Sequence, residues 1–341
     1  MNLPRYLVRR LFACLATFVG VSILIFGIAR VIPGDPARIA LGPTATDEQV
    51  REFRIQLGLD QPLPQQYAHY VSGLLHGDLG VSLYTNAPVA SDLRAGFPAT
   101  FELVLVATLF MVGIGIPLGV IAARHRDGAA DNVIRLGALL GVVTPSFVWA
   151  VLLMLVFSDY LGWLPIDGRL SETVSPPPSV TGLYLVDSLL AGQPHVFLNA
   201  LEHIILPATA LSLASIGQTT RLTRANVAEA YASPYIEMAR AYGISGRRIA
   251  SRYALRPALI PTLTILGLDI AAKLGNAFLV ETVFGWPGMA QYGVQAILHK
   301  DLNGIVGTVL VIAAFFLVIN MIVDAAVTVL DPRIRLGAQG A

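Results

Sequence analysis

Charged side chains are scarce in this sequence. Of its 341 residues, 13% are charged and 55% are hydrophobic, and the mean hydropathy is +0.67. A soluble domain carries about 25% charged residues, so this chain has too few to cover a water-exposed surface. The 23 lysines and arginines nearly balance the 22 acidic residues, which gives no indication of nucleic-acid binding. The composition therefore predicts an all-α integral membrane protein.

Residue patterns for catalysis and metal binding are also lacking. The single cysteine, Cys14, allows no intrachain disulfide. The six histidines show no zinc-type spacing, and we interpret His69 and His76, which could share a helix face, as solvated surface residues. Neither lysine, Lys273 or Lys300, follows the glycine that a phosphate-binding Gly-Lys-Ser/Thr loop requires. We therefore predict that this chain has no catalytic residue, no metal site and no cofactor. We also predict that it does not bind ATP through such a loop.

What the sequence does contain is long apolar runs. A bilayer-spanning helix needs about 20 apolar residues in succession. Four uncharged runs qualify, one is shorter, and one carries Asp269 and Lys273. The six predicted transmembrane helices are Leu11–Ala29, Leu103–Ala123, Leu136–Ser158, Ile204–Thr220, Pro257–Val280 and Leu302–Val323. Prolines inside these runs predict bent helices, and Gly115 with Gly119 predicts a close helix contact.

The distribution of positive charge predicts the orientation. With the N-terminus in the cytoplasm, the inside segments hold fifteen lysines and arginines and the longer outside segments hold seven. This bias follows the positive-inside rule, so we expect both termini to be cytoplasmic. The predicted units are 1–32 (cytoplasmic N-terminus and first helix), 33–102 (extracytoplasmic segment), 103–330 (permease core with helices 2 to 6 and the cytoplasmic segment 221–256) and 331–341 (cytoplasmic tail).

The outer segment between helices 1 and 2 is too long for a bare loop. Thr46 and Gln49 are spaced as a capping box at the start of an amphipathic helix, and "PLPQQYAHYVSGLLHG" predicts a second helix. The proline-rich outer segment 159–203 is expected to be irregular.

The inside segment 221–256 predicts a short, sharply delimited helix. Ser233 and Pro234 form a favourable helix start, and Gly243 suits a helix end. Between them, four residues form one apolar face at helical spacing: Tyr235, Met238, Ala239 and Tyr242. Such a face with a hard stop would fit the groove of a partner protein. A membrane-surface helix with arginines on lipid phosphates is the alternative, but it does not explain the sharp ends.

These residues carry a family resemblance. "EMARAYG", from Glu237 to Gly243, resembles the Glu-Ala-Ala-three-residue-Gly motif of ATP-binding-cassette importer permeases, with Met238 in place of the first alanine. "ALRPALIP" departs from the general pattern, because Arg256 stands at its proline position. It resembles the dipeptide, oligopeptide and nickel branch, as do "VIPGDPA", "LGLDQPL", "HGDLGVSL", "ETVFGWPGM" and "LDPRIR". The resemblance covers essentially the whole chain.

The resemblance implies a type I importer transmembrane domain in a bacterial inner membrane. The motif would form a coupling helix that docks onto an ATPase subunit, through Tyr235, Glu237, Met238, Ala239, Tyr242 and Gly243. The implied partners are a second, similar permease, two ATPases that bind ATP and Mg²⁺, and an extracytoplasmic binding protein. Small peptides are the expected cargo, and nickel or metal chelates, opines and glutathione are alternatives.

One charged helix face is a candidate substrate path. Asp269, Lys273 and Asn276 stand at i, i+4 and i+7 in the fifth span. Ionisable groups in a bilayer usually face a cavity or a partner, so this face could line the path and offer both charges to a zwitterionic peptide. The i, i+4 spacing also fits a structural ion pair, and the two interpretations are compatible.

Other polar residues in the spans have milder interpretations. Ser212, Ser215 and Thr219 predict hydrogen bonds between helices. Glu281 and Trp286 could shape an outer gate, or Trp286 could be an ordinary interfacial tryptophan.

Two other functions compete with an ATP-driven permease. An ion-coupled secondary transporter could use Asp269 as its ion site, but the sequence lacks inverted-repeat periodicity. A membrane scaffold without transport would leave the polar face of Asp269, Lys273 and Asn276 unexplained.

Overall fold

The computed structural model describes residues 3–31, 36–41, 44–56 and 58–330. Regular structure in these ranges is helical, apart from one isolated antiparallel bridge between Val81 and Pro88. The α-helices are α1 (Leu3–Val31), α2 (Pro36–Leu41), α3 (Asp47–Gln56), α4 (Leu63–Leu75), α5 (Val89–Phe110), α6 (Ile116–Arg124), α7 (Ala129–Val143), α8 (Ser146–Leu153), α9 (Tyr184–Leu190), α10 (Pro194–Tyr231), α11 (Pro234–Ala241), α12 (Gly246–Arg248), α13 (Leu255–Val283), α14 (Met289–Leu298) and α15 (Leu302–Leu330). Three stretches are π-helical: Met111–Gly115 joins α5 to α6, Ile249–Ala254 joins α12 to α13, and Met154–Tyr160 continues α8 to its end.

Six segments of the described chain can account for the six predicted spans. Five continuous helical stretches are long and apolar enough to cross a membrane, and the sixth candidate is a bent pair of helices. The continuous stretches are Arg10–Ile28, Val89–Arg124, Pro194–Tyr231, Gly246–Val283 and Leu302–Ala325. The all-helical fold with several spans is confirmed.

The third span, predicted over Leu136–Ser158, is bent as its proline predicts, but the bend is sharp enough to divide it into two helices. α7 and the helix Ser146–Tyr160 meet at an angle of 106°. Thr144 and Pro145 adopt extended backbone conformations between them. A proline has no N–H for the helix and disfavours helical geometry in the residue before it, so the bend follows from Pro145.

Several helices begin earlier than the apolar runs predicted. The second span begins at Val89 rather than Leu103 and includes Asp92, Arg94 and Pro98. A span predicted from hydropathy stops where polar residues begin. The helix itself continues through those residues, because its backbone hydrogen bonds do not depend on apolar side chains. The segment 159–203 is irregular only in part, because it contains α9 and the first turns of α10.

Both predicted helices between the first two spans are present as α3 and α4. The capping box at α3 is confirmed. The Thr46 N–H donates to Gln49 Oε1 at 2.9 Å, and the Gln49 N–H donates to Thr46 Oγ1 at 3.3 Å.

The long helix α10 lies at the centre of the molecule, against α5, α6, α7, α8 and α13. Glycines permit these close contacts. A Cβ on Gly217 would lie 2.4 Å from the Ala138 carbonyl oxygen of α7. Cβ atoms on Gly115 and Gly119 would lie within 3.0 Å of the side chains of Thr219 and Thr223, respectively. The predicted close contact at Gly115 and Gly119 is therefore confirmed, with α10 as the neighbour.

The helices define two ends of the molecule. The α11 end comprises the C-termini of α6 and α10 together with α11 and α12. The opposite end comprises α9, the N-termini of α5 and α10, and the C-terminus of α13.

Candidate functional site: helix α11 and the charged face of α13

Helix α11 begins and ends where the sequence predicts. Ser233 is the residue before the first turn, with an extended backbone, and Pro234 follows it as the first helical residue. The Ser233 hydroxyl does not cap α11. It donates to the Glu229 carbonyl of α10 at 3.4 Å. Proline at this position has the backbone angle of a helix already fixed, so the start does not depend on a side-chain cap.

The end of α11 is a Schellman motif. The Gly243 N–H donates to the Arg240 carbonyl at 2.9 Å, and the Ile244 N–H donates to the Ala239 carbonyl at 3.1 Å. Gly243 has φ +72°, a conformation that favours glycine. Ile244 packs against the cluster of buried residues that includes Ala239, and an apolar contact of this kind commonly accompanies the motif.

The apolar residues of α11 divide between two sides. Ile236 and Ala239 are buried and pack against the end of α10 and the helical segment after α12. Met238 is 60% exposed and Tyr242 is 77% exposed, and Tyr235 is also exposed. The interpretation of Ala239 as part of one outward face is therefore wrong. The sequence pattern did not identify Ile236 as a buried residue. Its burial fixes α11 against the rest of the permease chain.

The basic segment follows directly. Ser245 precedes α12, and the exposed residues Arg247 and Arg248 lie within α12. Arg252 lies in the π-helical stretch Ile249–Ala254, which continues into α13. The Tyr235 hydroxyl donates to the Tyr253 carbonyl at 3.4 Å, so α11 is also linked to this stretch.

On α13, Asp269 and Lys273 form an ion pair that extends to α10. The Lys273 ammonium bonds to Asp269 and donates to Ser215 Oγ of α10 at 2.7 Å. Ser215 Oγ in turn donates to Asp269 Oδ1 at 3.0 Å, and Met111 Sδ lies 3.4 Å from the ammonium. The Lys273 side chain is 3% exposed and that of Asp269 is 25% exposed. Pairing offsets part of the cost of burying Lys273 and partly burying Asp269.

Asn276, the third residue of this face, is exposed. The predicted polar stripe on α10 is confirmed as an interhelical hydrogen bond only at Ser215. Ser212 Oγ donates within its own helix to the Thr209 carbonyl at 3.0 Å, and Thr219 packs against Gly115.

Sequence patterns missed a second ion pair, at the α11 end. The Arg224 guanidinium of α10 donates two hydrogen bonds of 2.6 Å to the Asp131 carboxylate of α7. Asp131 is fully buried, and its Oδ2 also accepts the Asp127 N–H at 2.9 Å. The pair therefore links α10 to the turn between α6 and α7. No local pattern connects residues so far apart in the sequence.

A third cluster binds the irregular segment 161–183 to the opposite end. Arg169 donates to the buried carboxylate of Glu102 at 2.6 Å and lies 3.5 Å from the Tyr184 ring centroid. Burial opposes the charge of Asp187, but hydrogen bonds from the Thr181 side chain and from three backbone N–H groups lower the pKa of its carboxyl.

Trp286 and Glu281 are buried inside this end. The Trp286 indole donates to the Ala99 carbonyl at 3.0 Å, and Glu281 accepts from the Thr100 hydroxyl at 2.6 Å. The Trp286 ring therefore packs within the protein and is not exposed on its surface. The described residues contain no group of three metal-ligating side chains.

Comparison with known proteins identifies the family. Residues 115–336 match the family model described as "Binding-protein-dependent transport system inner membrane component", and residues 3–104 match the model of its N-terminal region. The chain is 43% identical over 329 residues to the probable D,D-dipeptide transport system permease protein of Escherichia coli K12, covering 96% of this chain and 97% of that protein. It is 39% identical over 331 residues to the di/tripeptide transport system permease protein of Pseudomonas aeruginosa, covering 97% and 98%.

The dipeptide transport system permease protein of Escherichia coli K12 is 36% identical over 334 residues, covering 97% of this chain and 98% of that protein. All three relatives align over nearly their whole length. This chain therefore belongs to the family of inner membrane components of binding-protein-dependent transport systems.

Proposed function

We propose that this chain is the transmembrane permease subunit of an ATP-driven importer and forms a path for small peptides. The observation that carries the proposal is the match along nearly the whole chain to permeases whose names specify peptide transport. Nickel or metal chelates, opines and glutathione are the alternative cargoes of similar machinery. The names of these relatives favour peptides among them.

The proposed docking element for an ATPase subunit is α11. Its outward side offers Tyr235, Met238 and Tyr242, with Glu237 exposed beside them. A compact apolar surface on a helix is suited to a groove in a partner. In this proposal Ala239 acts indirectly, because its burial fixes the helix, and Gly243 fixes the turn after it. ATP and Mg²⁺ would be bound by the ATPase subunits.

The proposed substrate path follows the face of α13 that carries Asp269, Lys273 and Asn276. Asn276 is exposed and would contact the path directly. The Asp269–Lys273 pair would open to the terminal charges of a peptide, each of which can replace one partner of the pair. The proximity of Ser215 supports this view, since its hydroxyl can satisfy either group while the pair is open.

The remaining partners would be a second, homologous permease, a second ATPase and an extracytoplasmic solute-binding protein. Exposed apolar side chains on the spans, such as Val133, Leu136 and Val143 of α7, suit lipid or the second permease. With both termini in the cytoplasm, α11 would face the ATPases. An ion-coupled transporter is less well supported, because Asp269 is already paired with a lysine.

The test is to perturb the turn after α11 in a reconstituted importer. We expect Gly243→Ala to reduce peptide uptake per ATP hydrolysed, because an alanine at φ +72° costs about 1 kcal/mol or more and shifts the end of α11. Glu237→Gln should lower the same ratio through the docking side. Uptake of labelled dipeptide and release of phosphate are measured in the same liposomes.

Gly192→Ala is the matched control. Gly192 ends α9 with φ +64°, and neither glycine has an atom within 4 Å of an added Cβ. Both substitutions therefore impose the same backbone strain, but only one lies beside α11. Unchanged coupling in both Gly243→Ala and Glu237→Gln would overturn the assignment of α11 as the docking element.

A further inference from the structure

A basic pocket lies behind α11, on the side away from its exposed apolar residues. It has a volume of about 380 Å³ and lies between the ends of α6 and α10, α11 and the start of α12. Its polar lining includes the side chains of Arg124, Tyr231 and Arg240. Small-molecule sites in proteins have volumes of about 300–1,000 Å³, so this pocket has room for one or two inserted side chains.

The two arginines lack an acidic counterpart. None of the residues that line the pocket is acidic. In the described ranges, neither Arg124 nor Arg240 has a carboxylate within ion-pair distance. The Arg240 guanidinium lies 5.9 Å from the Tyr231 ring centroid, which holds this arginine beside the pocket. Two guanidinium groups around one concave space favour an anion.

The pocket lies at the α11 end, where two of the candidate spans stop. These spans end at Arg124 and Tyr231, and both residues line the pocket. A lipid headgroup and a bound protein can both reach this level. Arg240 favours the protein, because it belongs to α11, the element proposed to dock the ATPase.

We propose that this pocket receives an aspartate or glutamate side chain of the ATPase subunit, bound by Arg124 and Arg240. This inference rests on the proposed docking of an ATPase on α11 and adds a second attachment point on its other side. The apolar side would supply contact area, and the arginines would fix the orientation of the subunit, because charge pairs across an interface set register and accelerate association.

The test measures binding of the purified ATPase subunits to the permease complex in lipid nanodiscs at low and high salt. We expect the double substitution Arg124→Gln/Arg240→Gln to weaken binding by about 10-fold at low salt and to flatten its salt dependence. The control is Arg126→Gln, since Arg126 is exposed two residues away and its recorded ion pair is with Asp127 at 3.6 Å. Gel filtration shows that each variant is intact.

Three outcomes overturn the proposal. ATPase binding that is equal in the double variant and the wild type rules out the pocket contact. An arginine effect that disappears in nanodiscs of phosphatidylcholine alone assigns the pocket to an anionic lipid. A photo-crosslinker at position 240 that labels lipid or the permease itself, and not an acidic segment of the ATPase, also overturns the proposal.

Met238→Ser separates this proposal from the proposed function. If Met238→Ser weakens ATPase binding and the arginine variant does not, only the pocket contact fails. If Met238→Ser binds the ATPase as the wild type does, docking on the apolar side of α11 fails, whatever the arginine variant shows.

Discussion

At the scale of single residues, Lys273 is a buried charge held by three neighbours. Its ammonium is enclosed by Asp269, Ser215 and Met111. Removing one partner of a buried ion pair leaves the other charge uncompensated and costs about 3–5 kcal/mol, whereas replacing both with apolar residues is often neutral. Stability and transport should therefore respond differently to single and double substitutions.

We expect Lys273→Met to lower the thermal unfolding temperature of the purified permease, because the part-buried Asp269 would remain without its cation. The double substitution Lys273→Met/Asp269→Leu should recover most of that loss and still abolish peptide uptake. Differential scanning fluorimetry and liposome uptake measure the two effects. A double variant that transports peptides normally would show that the pair is structural only.

The spacing of Asp269 and Lys273 predicted their pairing, because residues four apart share one side of a helix. It could not predict Ser215 or Met111 as neighbours, since these lie on other helices and reach the pair only through packing. Ala239 shows what a sequence pattern cannot predict about a single helix. Its position in the apolar pattern of α11 was clear, but which side of that helix would be buried depends on the ends of α10 and α13.

At the scale of helices, the Asp131–Arg224 pair links the turn before α7 to the end of α10. We expect Asp131→Asn to destabilise the permease by about 3 kcal/mol, because it leaves a part-buried guanidinium with a weaker acceptor. It should also reduce uptake per ATP, since α11 follows directly from α10. Asp127→Asn is the control, because Asp127 is exposed. Equal thermal stability of both variants would contradict this role.

The close contact of α7 and α10 depends on Gly217. We expect Gly217→Ala to destabilise the permease by about 1–3 kcal/mol, because the new methyl would overlap the Ala138 carbonyl and force the helices apart. Gly137→Ala should leave stability unchanged or slightly raised, since an added Cβ there has no atom within 4 Å. Thermal unfolding of the two variants in detergent measures the difference.

Most helices of this fold could be predicted from apolar run length, and α3 and α11 from their terminal residues. The proline predicted a bend at Pro145 but not its angle of 106°. The angle depends on what α7 and α8 contact. Helix starts such as Val89 were missed for a related reason. The turns that carry Asp92 and Arg94 are stabilised by tertiary packing, for instance of Gly96 against Met289, which hydropathy does not register.

At the scale of the whole molecule, the predicted orientation can be tested with single cysteines in a Cys14→Ser background. We expect Arg126→Cys to resist a membrane-impermeant maleimide added to intact cells, because its turn would face the cytoplasm. Ser175→Cys should be labelled once the outer membrane is permeabilised, because segment 161–183 would face outward. Both positions are exposed in the structure, so accessibility within the protein is matched. The reverse labelling pattern would invert the topology.

The continuity of α10 has a mechanical consequence. This 38-residue helix contacts segment 161–183 through Asn199, the charge pair of α13 through Ser215 and α7 through Arg224, and α11 begins just beyond its end. At 1.5 Å per residue it is about 57 Å long. A tilt of 5° about Ser215 would move its two ends by roughly 2–3 Å in opposite directions. The helix thus has the geometry of a lever. A small displacement at α11 produces a displacement of similar size at the far side of the bilayer.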